Sequence, residues 1–279
     1  MKKILIIVGI VITVAIIHHR NYVQVNEKPV SIPILMYHHF ELDKNKTNDM
    51  TVYKSDFEKQ MKYLKENGYT TINTKDLEKF IKGEKNIPDK SVMITADDGY
   101  RSNYKVMYPI LKKLNMKATI FIIGQSIDNS KNTQNQVPKL TWGDIGEMYK
   151  SGLIDIECHT YNSHVKGNTP SGEKGIFSSA IIGESEREYE KRINEDIKKN
   201  INSIEANLNY KPKAFAYPYG EWSGTSENIL KQNGIKLTFL AFGGKENNVK
   251  DSCLLKRIGI PGSYTVDDLK KELQKQNTK

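Results

Sequence analysis

Two adjacent carboxylates, Asp97 and Asp98, stand at the end of the apolar segment SVMITA and are followed by Gly99. Neighbouring side chains of a regular strand point to opposite faces, so two carboxylates that act together need a bend, which a glycine permits. A divalent cation beside them would relieve their repulsion and keep both ionised. One carboxylate could then bind the ion while the other serves as a base. A simple turn or a helix N-cap is the structural alternative, because Asp-Gly is common turn chemistry.

Histidines are the other residues that could bind a metal. Four of the six, His38, His39, His159 and His164, follow segments that are predicted to be strands. His159 and His164 are five positions apart, so they do not share a helical face, but a strand end and the loop after it could turn both toward one point. Two neutral imidazoles and a carboxylate suit Zn²⁺ or a similar divalent ion and leave a position open for water. For any one histidine, a structural role is the alternative.

Alternating strand-like and helix-like segments would position these groups. The strand-like segments are continuous apolar runs, as expected for strands covered on both faces, and a long amphipathic helix begins with the capping box SERE at residues 185–188. Six or seven such units without a change in composition predict one α/β domain with a mainly parallel sheet, either open or closed into a barrel. The polar, glycine-rich stretch 162–184 is predicted to be a loop or an insertion.

Four polar clusters fall at the predicted carboxyl ends of strands. In a parallel sheet these ends lie on one side of the domain, where residues that are distant in sequence converge. The clusters are Tyr37-His38-His39, Asp97-Asp98-Gly99, His159 to His164, and Tyr217-Pro218-Tyr219-Gly220.

The order of the motifs LMYHHF, ITADDGY, HTYNSH and AYPYG resembles that of the polysaccharide deacetylase family, the carbohydrate esterases with a NodB homology domain. The resemblance covers about residues 31–270. It implies a distorted (β/α) barrel with mainly parallel strands and one divalent metal ion. Zn²⁺ is the favoured ion, and Co²⁺, Ni²⁺, Mn²⁺ and Fe²⁺ are alternatives. It also implies that the substrate is an N-acetylated glycan.

Roles follow from the resemblance residue by residue. Asp98, His159 and His164 match the metal ligands, and Asp97 matches the catalytic base. Tyr219 matches the residue whose backbone N–H helps to hold the oxyanion. An acetamide carbonyl is unreactive, so a metal that polarises it, a base for the attacking water and donors for the oxyanion supply what the reaction needs.

Substrate contacts are expected near the same motif. Tyr217 and Pro218 adjoin Tyr219, and Trp222 follows it closely, so these three are predicted to bind the glycan. Aromatic faces stack on pyranose rings, which makes Trp222 a candidate sugar contact. Trp142, at the start of a predicted helix, is expected to pack against that helix instead.

The chain departs from the family pattern at two catalytic positions. Ala216 stands where most members have the arginine that orients the base, and Arg257 is the residue that could replace it. Most members also have a late histidine as general acid, whereas this chain has no histidine after His164. His38 is therefore the predicted proton donor, with packing at a strand end as its structural alternative.

The form of the motifs favours one branch of the family. The five-residue spacing of the ligand histidines and the Ala-Tyr-Pro-Tyr-Gly motif are similar to the poly-β-1,6-N-acetylglucosamine N-deacetylases of biofilms. Peptidoglycan or chitin oligomers are alternative substrates, and a non-catalytic glycan-binding protein on the same fold is the alternative class. A glycosidase is disfavoured, because adjacent Asp residues lack the ~5–9 Å separation across a scissile bond that such enzymes use.

The N-terminus predicts export. Lys2 and Lys3 precede an apolar run at residues 4–17, which fits the core of a secretory signal or signal-anchor. The predicted organisation is a signal or anchor segment at 1–19, a polar linker at 20–31 and a catalytic domain at 32–275. The expected location is the bacterial cell surface, either secreted or held on the extracellular side of the membrane.

The charge and the cysteine content limit the kinds of partner that are expected. The net charge of +9 is spread through mixed runs without a compact basic stripe, so nucleic acid is not an expected partner. The two cysteines, Cys158 and Cys253, cannot form a disulfide framework. The expected partners are an N-acetylated glycan and, through the N-terminal segment, the cell envelope, and the protein is expected to be a monomer.

Overall fold

The strands of the central sheet form where the sequence has short apolar runs, and nearly all of their side chains are buried. The computed structural model describes residues 31–131, 137–244 and 249–277. The predicted signal segment 1–19 lies outside these residues, as does the predicted linker except Ser31. The described strands are β1 Ile34–Tyr37, β2 His39–Glu41, β3 Thr51–Tyr53, β4 Thr70–Ile72, β5 Ser91–Ala96, β6 Ala118–Ile122, β7 Ile154–Cys158, β8 Lys166–Thr169, β9 Gly172–Gly175, β10 Ala214–Ala216, β11 Leu237–Phe239 and β12 Ile258–Gly259.

Helices follow most strands, as the alternating pattern predicts. None of the helices in the described part of the chain combines the length and the hydropathy that a membrane span requires. The described α-helices are α1 Lys54–Glu66, α2 Thr74–Ile81, α3 Tyr108–Leu114, α4 Gly124–Asp128, α5 Trp142–Lys150, α6 Glu186–Leu208, α7 Gly224–Gln232 and α8 Val266–Asn277.

The strands of the central sheet pair in parallel in the order β11-β10-β7-β6-β5-β1-β12, with β4 beside the first half of β5. The segment before β12 joins the two ends of this sheet. The Leu255 N–H donates to the Thr238 carbonyl and the Leu240 N–H donates to the Leu255 carbonyl, both at 2.8 Å, while Ile258 pairs with Leu35. The chain therefore forms a distorted (β/α) barrel, and of the two predicted arrangements the closed one is confirmed.

The long helix α6 begins as its sequence predicts. The Ser185 side chain accepts a hydrogen bond from the Glu188 N–H, and the Glu188 side chain accepts one from the Ser185 N–H, which completes the capping box. One face of the helix is buried against the barrel. The buried residues of this face are Tyr189, Ile193, Ile197, Asn200, Ile201 and Ile204.

Two segments differ from the predicted elements. The stretch 162–184 contains the antiparallel hairpin β8–β9, which has no alternation of apolar and polar residues that would reveal a half-buried strand. The sequence YKVMYPILKKL at residues 104–114 predicts one α-helix, whereas the structure has a π-helical turn at Asn103–Met107 before α3. Pro109 follows this turn as the second residue of α3, and because proline has no N–H, it cannot donate to a carbonyl of the preceding turn.

Two buried carboxylates, Asp155 and Glu157, share the face of β7 that also carries His159, because side chains two positions apart on a strand point the same way. The Glu157 carboxylate accepts hydrogen bonds from the Tyr210 hydroxyl at 2.7 Å and from two backbone N–H groups at the start of β10 at 2.9 and 2.8 Å. Burial, with a contribution from the negative charge of Asp155, raises the pKa of Glu157 to about 7. This carboxylate therefore ties β7 to β10 within the barrel.

Candidate metal and catalytic site

The backbone bends sharply after β5, at Asp98 and Gly99. Their φ values, 69° and 64°, lie in the left-handed region, which glycine adopts freely and aspartate tolerates. A Cβ at Gly99 would also lie 3.0 Å from Cδ1 of Ile127, so both conformation and space favour glycine here. The bend leaves Asp97 and Asp98 buried at the carboxyl end of the barrel, 2% and 7% exposed.

The carboxylate of Asp98 lies between two imidazoles. Its Oδ1 is 3.5 Å from Nε2 of His159 and 3.4 Å from Nε2 of His164, and the candidate ligand atoms of the three residues all lie within 4.8 Å of one another. This Oδ1 is buried and receives no hydrogen bond from the residues that the structure describes. A buried acceptor without a donor costs free energy, and a cation shared with the two imidazoles would satisfy it. One carboxylate and two imidazoles therefore fit a divalent metal.

The ring of His159 is oriented by a backbone carbonyl. Its Nδ1–H donates to the carbonyl oxygen of Ala216 at 2.7 Å, which leaves the lone pair of Nε2 facing Asp98. Burial lowers the pKa of His159 to about 4, although the charge of Asp97 opposes this shift. The imidazole is therefore neutral near pH 7, which is the form that binds a metal.

Asp97 is held by the guanidinium of Arg257, the residue directly before β12. Nη1 of Arg257 donates to Oδ1 of Asp97 at 2.7 Å, and Nη2 donates to Oδ2 at 2.6 Å. Nε of Arg257 donates to the Leu240 carbonyl at 2.7 Å. Burial alone would raise the pKa of Asp97, but the charge and hydrogen bonds of Arg257 hold it well below its usual range. Arg257 thus supplies the guanidinium that Ala216 lacks, as the sequence suggested.

His38 lies between β1 and β2 and faces the same carboxylates. It is 9% exposed, and the side-chain amide of Asn103 donates to its backbone carbonyl at 2.8 Å. Burial lowers the pKa of His38, while Asp97 and Asp98 act in the opposite direction. The adjacent His39 is placed differently, since its Nδ1 lies 2.8 Å from the Ser102 hydroxyl oxygen.

Tyr219 stands beside the candidate metal ligands Asp98, His159 and His164. It has φ 59° within the turn after β10, and its ring centroid lies 5.0 Å from that of His164. Its side chain is partly exposed. The role of its backbone N–H as an oxyanion donor stays a prediction.

The other predicted substrate contacts differ in how much of each side chain is exposed. Tyr217 is 0% exposed, and its hydroxyl donates to Oε2 of Glu227 at 2.7 Å. The role of Tyr217 as a substrate contact stays a prediction, and its side chain, which points toward α7, offers a glycan no exposed surface. Pro218 is also buried, so its side chain offers little surface to a glycan. Trp222 is 49% exposed and is available for sugar stacking.

Trp142 packs as predicted. Its side chain is partly buried against the hydrophobic core, and its indole N–H donates to Oδ1 of Asp128 at 2.9 Å. It takes no part in the candidate site.

Lys139 and Tyr100 lie beside Asp98 and were not among the predicted site residues. Nζ of Lys139 donates to the backbone carbonyl of Asp98 at 3.1 Å and lies 3.6 Å from the centroid of the Tyr100 ring. Burial and the charge of Asp98 raise the pKa of the Tyr100 hydroxyl. These contacts support the bend at Asp98. Tyr100 is the last residue of the motif ITADDGY, whereas Lys139 lies 41 positions from Asp98 and has no sequence signal.

The chain is similar to known proteins in sequence and in fold. The family model for polysaccharide deacetylases matches residues 84–238. This range contains both aspartates and both histidines of the candidate site. Arg257 and His38 lie outside the matched range.

Three relatives illustrate the similarity. YxkH of Bacillus subtilis is 41% identical over 155 residues, which cover 55% of this chain and 51% of that protein. The poly-β-1,6-N-acetyl-D-glucosamine N-deacetylase of Staphylococcus aureus MRSA252 is 31% identical over 189 residues, covering 68% and 60%. A solved de-N-acetylase from Aggregatibacter actinomycetemcomitans superposes with a TM-score of 0.79 at 25% identity, covering 86% of this chain and 99% of the other. The chain thus spans about half to three fifths of the two curated relatives.

Proposed function

Because the chain belongs to the polysaccharide deacetylase family, we propose that it is a metal-dependent N-deacetylase. It hydrolyses the N-acetyl groups of N-acetylglucosamine residues in a polysaccharide and releases acetate. The observation that carries this proposal is the position of Asp98 Oδ1 between the Nε2 atoms of His159 and His164, at 3.5 and 3.4 Å. A bound divalent ion, Zn²⁺ first, would act there as a Lewis acid on the acetamide carbonyl.

Residues of the chain itself supply the other groups that the reaction needs. Asp97, kept ionised by Arg257, accepts a proton from the attacking water, and the backbone N–H of Tyr219 donates to the developing oxyanion. His38 delivers a proton to the nitrogen of the leaving amine. The bidentate Arg257 contact also fixes the direction in which the Asp97 carboxylate points.

We propose poly-β-1,6-N-acetylglucosamine as the glycan. The Staphylococcus aureus relative bears the name of that activity, and the exposed Trp222 beside Tyr219 offers an aromatic face to a neighbouring sugar. Peptidoglycan and chitin oligomers are the competing substrates. The non-catalytic alternative rested on the missing arginine and the missing late histidine, and the contact of Arg257 with Asp97 answers only the first of these.

Residues 32–275 would be the catalytic domain, acting as a monomer on the outside of the cell. The support for export is the sequence of residues 2–17, two lysines followed by an apolar run. An uncleaved anchor predicts that membranes retain the protein through a high-salt wash, whereas binding by charge alone predicts release.

Acetate release tests the proposed activity. The full-length chain, stripped with a chelator and reloaded with Zn²⁺ or Co²⁺, is incubated with β-1,6- and β-1,4-linked N-acetylglucosamine oligomers. We expect metal-dependent acetate release that favours the β-1,6 linkage and is abolished in D97N. Product masses should show loss of acetyl groups at constant chain length, and shortened chains would indicate a glycosidase. No acetate with any divalent metal and any oligomer would refute the proposal.

A further inference from the structure

The turn that leads from His159 to His164 is held by a carboxylate from a remote helix. Asp196 lies in the middle of α6, and its Oδ1 accepts a hydrogen bond from the Tyr161 N–H at 2.7 Å. Its Oδ2 accepts from the Asn162 N–H and from the Ser163 hydroxyl, each at 2.8 Å. Three consecutive residues of the turn therefore donate to one carboxylate.

A second residue of α6 supports the start of the same turn. Nδ2 of Asn200, one helical turn after Asp196, donates to the Thr160 carbonyl at 2.6 Å and to the Ile122 carbonyl at 3.2 Å. Thr160 has φ 67°, a left-handed conformation that is costly for a β-branched residue and persists only where surrounding contacts enforce it. The turn is thus a strained segment that depends on α6 for its shape.

The backbone of this turn decides where His164 lies. His159 is oriented by the Ala216 carbonyl, but the described contacts of the His164 side chain are with Asp98 and with the rings of His159 and Tyr219. The His164 side chain is also 21% exposed. Its ring is therefore placed mainly through its backbone, which follows directly on Ser163.

We propose that Asp196 is a positioning residue that sets the distance between the Nε2 atoms of His159 and His164, and thereby the affinity for the metal. This inference rests on the proposed metal site. Asp196 touches neither the ion nor the substrate. It acts by ordering the turn before the metal arrives, so its loss weakens binding of the ion in the absence of any substrate.

A metal titration of the full-length chain tests this. The metal-free protein competes with a chromophoric chelator for Zn²⁺, which gives a Kd without any activity measurement. D196N keeps the shape of the side chain but directs an NH₂ group at N–H and O–H donors. We expect its Kd to rise about 10- to 100-fold, as for other partners that orient metal ligands. The matched control is E195Q, at the next position of α6, where the carboxylate is 66% exposed, and its Kd should equal that of the wild type.

Two further measurements keep the inference testable. The absorption spectrum of the Co²⁺ form should change in D196N, because the ligand geometry relaxes, while the melting temperature of metal-free D196N stays close to that of the wild type. If D196N does not fold, the Kd of S163A for Zn²⁺ tests the inference instead. This variant removes one of the three donors to Asp196, so its Kd should rise by a smaller factor. An unchanged Kd in the folded variant overturns the inference. Failure of the wild type to bind one equivalent of Zn²⁺ would instead overturn the proposed function.

Discussion

Each terminal nitrogen of Arg257 donates to a different carboxylate oxygen of Asp97, although 160 positions separate the two residues in the chain. The family arginine would occupy position 216, which is alanine in this chain. The guanidinium reaches the same carboxylate from the segment that closes the barrel onto β1. Arg257 therefore places beside Asp97 the charge that the family resemblance would assign to position 216.

Replacing Arg257 by lysine should lower kcat/KM for deacetylation about 10- to 100-fold, the range seen when a residue that orients a functional ligand is changed. Lysine keeps the charge but cannot make two parallel hydrogen bonds to one carboxylate. Acetate release under saturating Zn²⁺ measures the effect. The matched control is R192K on α6, because Arg192 makes a similar pair with Glu184, at 2.7 Å from both Nε and Nη2. R192K should keep wild-type kcat/KM, and an equal loss in both variants would contradict the orienting role.

R257M should reduce stability as well as activity. Removing one partner of a buried ion pair leaves an uncompensated charge and costs about 3–5 kcal/mol of unfolding free energy, and Arg257 is only 1% exposed. Urea unfolding at pH 7 measures this. A loss below about 1 kcal/mol would mean that water reaches Asp97 in the variant and screens its charge.

The convergence of Asp98, His159 and His164 could be predicted from the sequence because it follows from topology. Carboxyl ends of parallel strands meet at one side, so Asp98 after β5 and His159 after β7 had to approach each other. The burial of Tyr217 was missed although strand alternation carries the signal. Tyr217 lies two positions after Phe215, so it shares the face on which both rings pack near Phe177.

Asp196 could not be found in this way. Its partners Tyr161, Asn162 and Ser163 lie 33 to 35 positions away, and the pattern of α6 reveals only which face is apolar. A single carboxylate on an amphipathic helix is usually a solvated side chain. Only the packing of α6 against the turn distinguishes Asp196 from its exposed neighbour Glu195.

Replacing His38 by glutamine should lower kcat about 10²- to 10⁴-fold, the usual contribution of a general acid, without changing the Zn²⁺ content. The matched control is H39Q, because the adjacent imidazole faces Ser102 instead, and it should leave kcat unchanged. Metal analysis and acetate release on the same samples separate the two effects. Loss of Zn²⁺ together with activity in H38Q would contradict the assignment.

The pH dependence of wild-type activity should reflect the protonation of His38. Burial lowers the pKa of His38 below its ordinary value of 6.5, so the protonated form that donates is the minority species at pH 7. The kcat/KM of the wild type should therefore rise as pH falls from 8 toward 6, until protons displace the metal from its ligands. In H38Q this rise should disappear. A rise that persists in H38Q would assign the titration to another group.

Replacing Trp222 by alanine should raise KM for oligomers about 2- to 10-fold with little change in kcat, since loss of an aromatic contact worth about 0.5–1.5 kcal/mol weakens binding by that factor. Trp222 is 49% exposed, so little folding stability is at risk. W142F is the control, because Trp142 packs on the core away from the site. An unchanged KM for long oligomers in W222A would exclude Trp222 from the glycan path.

Replacing Glu157 by glutamine should alter how stability depends on pH. The pKa of Glu157 is raised in the folded state from 4.5 to about 7, so the folded protein binds this proton more tightly than the unfolded chain does. Stability from this group is fully present below pH 4.5 and is lost as pH rises through 7, by about 3 kcal/mol in all.

Glutamine carries no charge, and its amide can still accept from the N–H groups of β10 and donate to the Tyr210 oxygen. The free energy of unfolding of E157Q, measured by urea denaturation from pH 5 to 8, should therefore increase relative to that of the wild type as pH rises. A difference that is constant across this range would mean that Glu157 is ionised in the folded protein throughout, and that its hydrogen bonds outweigh its burial.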